Sequence, residues 1–235
     1  MHIDFSGRTI IVTGGTGALG GAVVKSFLDA GARVVVTYVI EEEVAPFLER
    51  IVEQKYVDLY RCDVRRSSEV DQLFRNIPSN SLRAVVNLAG GYRWTQVAKA
   101  DDAILEELLD LNLRTTFTMC RSAVPIMAAV GTGSIINVSA RAALRGETGN
   151  GIYGATKAAV LALTQSLSAE VKGDGINVNA VLPSIIDTPA NRLAMPKSDW
   201  SKWVAPGDLA NVIVFLASDA ASSIHGAAIP VYGLA

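Results

Sequence analysis

The stretch Thr13–Gly20, T-G-G-T-G-A-L-G, stands between two clearly patterned segments. Before it, Thr9–Thr13 is a run of β-branched residues that predicts a buried strand. After it, an apolar pattern of helical period continues to about Ala30, where Gly31 ends the helix. Glycines between a strand and a helix let backbone N–H groups approach a phosphate, to which the helix N-terminus adds partial positive charge. This context predicts a dinucleotide-binding loop.

The rest of the chain alternates short apolar strands with longer helical segments. We predict further strands at Arg33–Val39, Tyr56–Arg61, Arg83–Leu88, Gly133–Val138, Asn177–Leu182 and Ala227–Val231. We predict further helices at Glu41–Gln54, Ser67–Arg75, Asp102–Leu111, Leu113–Val130, Tyr153–Lys172 and Pro206–Ser218. Unbroken apolar strands between helices are typical of a parallel sheet covered on both faces. The pattern therefore predicts an α/β fold, a doubly wound parallel sheet of about seven strands, as a single domain over residues 1–235.

Composition narrows the class of protein. The chain has 235 residues, of which 50% are hydrophobic, and a formal net charge of -2. That charge gives no basic face for nucleic acid. We find no signal peptide and no apolar run of the roughly 20 residues that a membrane helix needs, so we expect a cytoplasmic protein without a membrane partner. Two cysteines and two histidines, with no cluster of them, predict no metal site.

The end of the second strand bears on the choice of cofactor. An acidic residue there accepts hydrogen bonds from the ribose 2′-OH of NAD, whereas an arginine accommodates the 2′-phosphate of NADP. This chain has Tyr38 at that place, so the sequence leaves NAD or NADP open. The acidic run Glu41–Glu43 would weakly oppose a phosphate, but we interpret it as the solvated start of a helix.

A second motif, Y-G-A-T-K, places Tyr153 and Lys157 four residues apart on one face of a helix. An ammonium beside a phenol favours the phenolate and lowers a pKa that is ordinarily about 10. Such a phenol can pass a proton to or from a carbonyl or imine while a dinucleotide cofactor carries the hydride. The pair is therefore the candidate catalytic centre.

With these motifs the chain resembles the short-chain dehydrogenase/reductase family, whose domain is a Rossmann-type fold. The resemblance covers nearly the whole chain and includes D-V at Asp63–Val64, N-L-A-G at Asn87–Gly90, and Asn112. It implies an NAD(P)-dependent oxidoreductase acting on a small-molecule substrate. It also implies a homodimer or homotetramer, formed through the helices predicted at Leu113–Val130 and Tyr153–Lys172.

The resemblance also implies individual roles. Lys157 would bond the nicotinamide ribose as well as act beside Tyr153, and Asn112 would anchor a water in the proton relay. The residues implied to bind the cofactor are Gly14, Thr16, Gly17, Ala18, Leu19, Gly20, Tyr38, Asp63, Val64, Asn87, Ala89, Gly90, Pro183, Ile186 and Thr188. Three of these residues could instead have purely structural roles. Asp63 could be a turn residue, Asn87 a buried amide, and Asn112 a residue at a helix break.

The chain departs from the family pattern at three places. Ala18 stands where the second loop glycine is usual, and Gly17 comes one position early. Ala140 stands thirteen residues before Tyr153, where the family usually has its catalytic serine. The adjacent Ser139 could replace it only if the backbone shifts, because neighbours on an extended segment point to opposite sides; otherwise it is a satisfied hydroxyl at a strand end. Pro183 is followed by serine rather than the usual glycine.

These departures coincide in the dihydropteridine reductase-like branch, which also lacks that serine. The segment Leu182–Trp203 is similar to its substrate-side segment, although Tyr38 replaces an acidic residue found there. The branch implies a cyclic or conjugated carbonyl or imine as substrate. Flat aromatic or soft side chains that could contact such a ring are Tyr92, Trp94, Met195 and Trp200, which could instead pack the loop or an interface.

Because Ala140 replaces the usual serine, a second function is also possible. The protein could be a cofactor-binding sensor or scaffold with little turnover. The intact pair Tyr153 and Lys157, together with Asn112, favours the enzyme.

Overall fold

The computed structural model describes residues 3–234 and contains one seven-stranded parallel sheet. The strands are β1 (Thr9–Thr13), β2 (Arg33–Tyr38), β3 (Val57–Arg61), β4 (Leu82–Asn87), β5 (Gly133–Val138), β6 (Ile176–Pro183) and β7 (Ala228–Val231). Their order across the sheet is β3-β2-β1-β4-β5-β6-β7. The predicted Rossmann-type α/β fold is confirmed, and every predicted strand limit agrees with the observed one to within one residue.

Residues 3–234 form eight α-helices, and the longer ones pack on the two faces of the sheet. They are α1 (Ala18–Asp29), α2 (Val44–Glu49), α3 (Ser67–Arg75), α4 (Asp102–Leu108), α5 (Thr115–Val130), α6 (Gly151–Val171), α7 (Pro189–Ala194) and α8 (Pro206–Ala217). Side chains alternate along each strand, so Ile10 packs into the cluster that includes α1 and α8. Ile11 packs into the opposite cluster, with α3 and α5. Both faces are therefore buried, which explains the unbroken apolar strands.

The helix predicted at Glu41–Gln54 is much shorter than expected. A single 3₁₀ turn at Glu41–Glu43 leads into α2, which ends at Glu49. Gln54 is outside the helix and donates its side-chain amide to the Leu48 carbonyl oxygen, 2.8 Å away. The same carbonyl accepts from the Ile51 N–H at 3.1 Å, so a backbone turn and the Gln54 side chain together close the end of α2.

The helix break predicted at Asn112 is also wrong. Between α4 and α5 the chain continues through a π-helical segment, Leu109–Arg114. Asn112 is fully buried inside it. Its wider turn is stabilised by Thr116, whose hydroxyl donates to the Asn112 carbonyl at 2.9 Å. Single π turns often occur at functional sites.

Strand order reverses between β1 and β4, and this creates a crevice at the carboxyl ends of these strands, where ligands bind in open α/β sheets. The long segment after β6 crosses this edge and contains α7 and a 3₁₀ turn at Trp200–Lys202. It is held at its base by a bridge between Ile186 and Val204. Within the described part of the chain, no helix is long and apolar enough to cross a membrane.

Candidate active site

A cleft of about 470 Å³ lies at the carboxyl ends of β1, β2 and β4. The cofactor-site candidates that line it are Gly14, Thr16, Gly17, Ala18, Leu19, Tyr38, Asp63, Val64, Ala89, Gly90 and Thr188. It is also lined by residues that sequence reasoning missed, namely Thr37, Val39, Ile40, Glu43, Cys62, Arg65, Leu88, Leu111 and Thr115. A larger groove, of about 710 Å³, lies at the opposite edge of β1–β3 and contains none of the candidates.

The glycine loop has three positions where a side chain would not fit. Gly14 has a φ of +62°, a Cβ at Gly15 would lie 2.7 Å from Val36 Cγ1, and a Cβ at Gly20 would lie 2.5 Å from the Gly14 carbonyl oxygen. Gly17 is different, because its backbone is extended and a Cβ there would meet nothing closer than 3.5 Å. The early glycine in the motif is therefore not a conformational requirement.

The same loop suits a pyrophosphate. Gly17 is the N-cap of α1 and supplies no side-chain cap, and the first turn of α1 contains no acidic residue. The N–H groups of that turn and the positive end of the helix dipole remain available to an anion beside the cleft. A nicotinamide dinucleotide thus fits the residues present.

The Asn87–Gly90 segment is tied to the end of β1. Thr13 Oγ1 accepts hydrogen bonds from the backbone N–H groups of Leu88 and Ala89, each at 3.0 Å. Asn87 points inward and donates to Asn137 Oδ1 at 2.8 Å, while its own Oδ1 has no hydrogen-bond partner within residues 3–234. The backbone of this segment, rather than the Asn87 side chain, faces the cleft.

Asn112 and Lys157 converge on Gly90. A Cβ at Gly90 would lie 2.8 Å from Asn112 Oδ1 and 3.3 Å from Lys157 Nζ. Asn112 accepts from the Gly91 N–H and donates to the Gly91 carbonyl, both at 3.1 Å. The π-helical segment therefore aims this amide at the backbone beside the candidate catalytic lysine.

The ammonium of Lys157 does not lower the pKa of the Tyr153 phenol, contrary to expectation. Lys157 Nζ donates to the Val138 carbonyl at 2.9 Å and lies 6.0 Å from the centroid of the Tyr153 ring. Burial, with a smaller contribution from Tyr92, raises the pKa of Tyr153 to about 12. Burial lowers the pKa of Lys157 to about 8. Desolvation outweighs the attraction that the spacing of the two residues suggested.

Ser139 lies at the end of β5 with its hydroxyl directed into the protein. The side chain is buried and donates to the Lys157 carbonyl oxygen at 2.8 Å. Ala140 follows in an extended conformation and is 6% exposed. The geometry matches a satisfied strand-end hydroxyl, not a serine shifted into the place of Ala140.

Tyr92 lies against Tyr153. The two rings are 4.9 Å apart between centroids, with their planes at 87°. The Tyr92 hydroxyl donates to Asn150 Oδ1 at 2.9 Å. Trp94 is more peripheral: its indole N–H donates to the Thr148 carbonyl at 3.2 Å, and 57% of the residue is exposed.

Met195 and Trp200, the other two substrate-side candidates, contact each other. The Trp200 indole donates to the Met195 carbonyl at 3.1 Å, and the Arg192 guanidinium lies 4.7 Å from the Trp200 ring centroid. These contacts favour a role in packing the segment after β6. Thr188 caps α7 by accepting from the Asn191 N–H at 3.2 Å and also faces the cleft.

Pro183 and Ile186 are not among the residues lining the cleft. Pro183 is buried as the last residue of β6, paired with Val231, and the Ile186 carbonyl accepts from Asn191 Nδ2 at 2.8 Å.

Within residues 3–234, no group of three or more His, Cys, Asp or Glu side chains could hold a metal ion.

Comparison with known proteins decides the family. A family model described as Enoyl-(Acyl carrier protein) reductase matches residues 15–233. A solved structure described as a short chain dehydrogenase/reductase family protein is 30% identical, with a TM-score of 0.89 over 99% of this chain and 98% of its own. The chain belongs to the short-chain dehydrogenase/reductase family. It is an NAD(P)-dependent oxidoreductase, and these matches do not favour a scaffold or sensor.

Other relatives are named for an activity or for the family. The 3-oxoacyl-[acyl-carrier-protein] reductase of Rickettsia felis is 31% identical over 98% of both chains. That of Staphylococcus aureus is 30% identical over 96% of this chain and 97% of its own. A short-chain type dehydrogenase/reductase from Mycobacterium ulcerans is 27% identical, with a TM-score of 0.92 over 99% of this chain and 90% of its own.

Proposed function

We propose that this protein reduces a small cyclic or conjugated carbonyl or imine, of dihydropteridine-like kind, with Tyr153 as the proton donor. The observation that carries the proposal is the pair of neighbours at the end of β5. Ala140 stands at the usual serine position, and the hydroxyl of Ser139 is occupied by the Lys157 carbonyl oxygen. A nicotinamide dinucleotide supplies the hydride when bound.

The substrate class follows from what the missing hydroxyl would do. A serine hydroxyl orients and polarises a ketone oxygen, so that an unactivated ketone becomes a better hydride acceptor. A quinonoid ring or a conjugated imine is already electrophilic. Such a substrate needs one acid at the atom that gains negative charge, and Tyr153 supports that role.

The protonation states support reduction. Since burial raises the pKa of Tyr153 to about 12, the phenol holds its proton at neutral pH and can donate it. Lys157 keeps Nζ on the Val138 carbonyl, beside Gly90 and the amide of Asn112. Of these groups, the Lys157 ammonium is the one that can return a proton to the Tyr153 phenolate after each turnover.

A second candidate substrate is a 3-oxoacyl thioester. Two relatives that are 31% and 30% identical to this chain are named for that activity. A 3-oxoacyl group is an unconjugated ketone, which is the substrate type that benefits most from the hydroxyl absent at Ala140.

Initial rates with a substrate panel test the proposal. The panel contains quinonoid dihydropterin, a quinone, an acetoacetyl thioester and an unactivated ketone, each with NADH and NADPH. We expect the first two to react at least about tenfold faster than the last two, a difference of about 1.4 kcal/mol in barrier height. Tyr153→Phe should abolish turnover while leaving cofactor binding. Preferential reduction of the thioester would refute the proposed substrate class.

We also propose a homo-oligomer formed through α5 and α6. Phe117 on α5 is 46% exposed, and Val130 at the end of that helix is 41% exposed. Met119 and Met127 on the same helix are buried in the core and do not contribute to this surface. Sedimentation velocity of wild type and Phe117→Ser tests this, and an unchanged monomer in both would contradict it.

A further inference from the structure

Two side chains from the segment after β2 converge on one residue of the glycine loop. Glu43 Oε2 accepts a hydrogen bond from Thr16 Oγ1 at 2.5 Å. Arg50 Nη2 donates to the Thr16 carbonyl oxygen at 3.2 Å. Both Glu43 and Thr16 line the dinucleotide cleft. The start of α2 therefore places a carboxylate at the loop itself.

Two arginines of this region donate to acceptors other than the Glu43 carboxylate. Arg65 lines the cleft, but its guanidinium makes two hydrogen bonds, both 2.8 Å long, to the Asp63 carboxylate. Arg50 donates to two backbone carbonyl groups, those of Pro46 and Thr16. Within residues 3–234, no salt bridge includes Glu43. The charge of Glu43 at the cleft is thus not neutralised by a direct ion pair.

The end of β2 supplies neither an acid nor a base. The residues that line the cleft there are Tyr38, Val39 and Ile40. In dinucleotide-binding folds this place ordinarily distinguishes a ribose 2′-OH from a 2′-phosphate. A carboxylate with the matching chemistry reaches the cleft at Glu43, five residues beyond Tyr38, whereas the other carboxylate in the cleft, Asp63, is paired with Arg65.

We propose that Glu43 selects the cofactor, by accepting hydrogen bonds from the ribose hydroxyl groups of the adenosine half and by repelling a 2′-phosphate, so that the protein uses NAD(H). A carboxylate that accepts from a hydroxyl forms a charge-assisted hydrogen bond. The same carboxylate facing a phosphate is a like-charge contact. The inference rests on the dinucleotide cleft of the proposed function and is independent of its substrate.

Equilibrium binding tests this role without turnover. Dissociation constants of NADH and NADPH are measured by the fluorescence of the reduced nicotinamide for wild type and Glu43→Gln. AMP and adenosine 2′,5′-bisphosphate serve as competitors that probe the adenosine half alone. Glu41→Gln and Glu42→Gln remove the same charge from exposed neighbours in the same turn and are the matched controls. Thermal melting without ligand verifies that each variant folds.

We expect wild type to bind NADH at least about tenfold more tightly than NADPH. Glu43→Gln should reduce this ratio to about threefold or less, mainly by tightening NADPH, whereas the two controls should keep the wild-type ratio. A wild type that binds NADPH as tightly as NADH would overturn the inference. So would a control that changes the ratio as much as Glu43→Gln. Failure to bind either dinucleotide would refute the proposed function as well, whereas binding without preference would refute only the role of Glu43.

Discussion

The rings of Tyr92 and Tyr153 meet edge to face, with 4.9 Å between their centroids. The Tyr92 hydroxyl donates to Asn150, and this hydrogen bond holds the Tyr92 ring against Tyr153, the proposed proton donor. Aromatic pairs of this geometry contribute about 0.5–1.5 kcal/mol beyond their buried area.

Replacing the ring of Tyr92 should therefore lower kcat. We expect Tyr92→Leu to reduce kcat about threefold to tenfold, because Tyr153 gains freedom, with a smaller change in KM. Tyr92→Phe keeps the ring and should stay within about twofold of wild type. Steady-state kinetics on both variants decide the matter. An equal loss in the two variants would mean that the hydrogen bond to Asn150, not the ring contact, matters.

Adding a hydroxyl at Ala140 should widen the substrate range. Ala140 is extended and almost fully buried beside the end of β5. We expect Ala140→Ser to raise kcat/KM for an unactivated ketone by about tenfold or more, because the new hydroxyl can polarise its oxygen. The conjugated substrate should change little. Rates for both substrates are compared with those of wild type.

Ser139→Ala is the contrasting variant. It removes the hydrogen bond to the Lys157 carbonyl, so we expect a loss of about 1 kcal/mol in stability and no new ketone activity. If Ser139→Ala abolished turnover while the fold stayed intact, Ser139 would have a direct role that its geometry does not indicate.

Lys157 should impose a characteristic pH dependence on stability. The unfolded chain holds this proton up to about pH 10.5, whereas burial makes the folded protein release it near pH 8. Between these values the unfolded state binds more protons, so the contribution of Lys157 to the free energy of unfolding rises with pH. The wild type should gain up to about 3 kcal/mol relative to Lys157→Met between pH 7 and pH 10.

Urea denaturation of both proteins at several pH values measures this gain. The raised pKa of Tyr153 acts in the opposite direction above pH 10, but it is present in both proteins and cancels in the difference. A difference that stays flat with pH would show that Lys157 titrates normally in the folded protein.

Replacing two glycines of the loop by alanine should lower stability by very different amounts. Gly20→Ala places a Cβ against the Gly14 carbonyl oxygen, so we expect a loss of more than about 2 kcal/mol and weakened dinucleotide binding. Gly17→Ala has room for its Cβ and should cost about 0.5 kcal/mol or less. Thermal melting measures both changes. A large loss in Gly17→Ala would contradict the extended conformation at that residue.

The centre of the sheet was predictable because its strands are buried on both faces. A central strand such as Thr9–Thr13 is a short β-branched run, and this composition follows directly from burial. Prediction failed where distant side chains decide the outcome. Gln54 lies beyond the end of α2 and folds back to donate to the Leu48 carbonyl, which no helical period reveals. The continuity of the chain through Asn112 depends likewise on hydrogen bonds with Gly91 and Thr156.

In the active site, too, the local motifs were predictable from the sequence, whereas effects of tertiary packing were not. The glycine loop and the spacing of Tyr153 and Lys157 are local patterns, and sequence alone located them. The pKa directions of this pair depend on burial, which outweighs the attraction implied by the spacing. The place of Glu43 against Thr16 depends on how α2 returns to the loop, whereas the acidic run taken alone indicates only a solvated helix start.

The π-helical segment Leu109–Arg114 also constrains how this region can change length. A residue deleted there would let α4 and α5 join as one regular helix, but each residue of an α-helix corresponds to a rotation of about 100°. Either Leu108 would turn out of the core or Asn112 would turn away from Gly91. Homologues that keep an asparagine at the position of Asn112 should therefore also keep the length of this segment. Insertions should occur instead in the loop before α4.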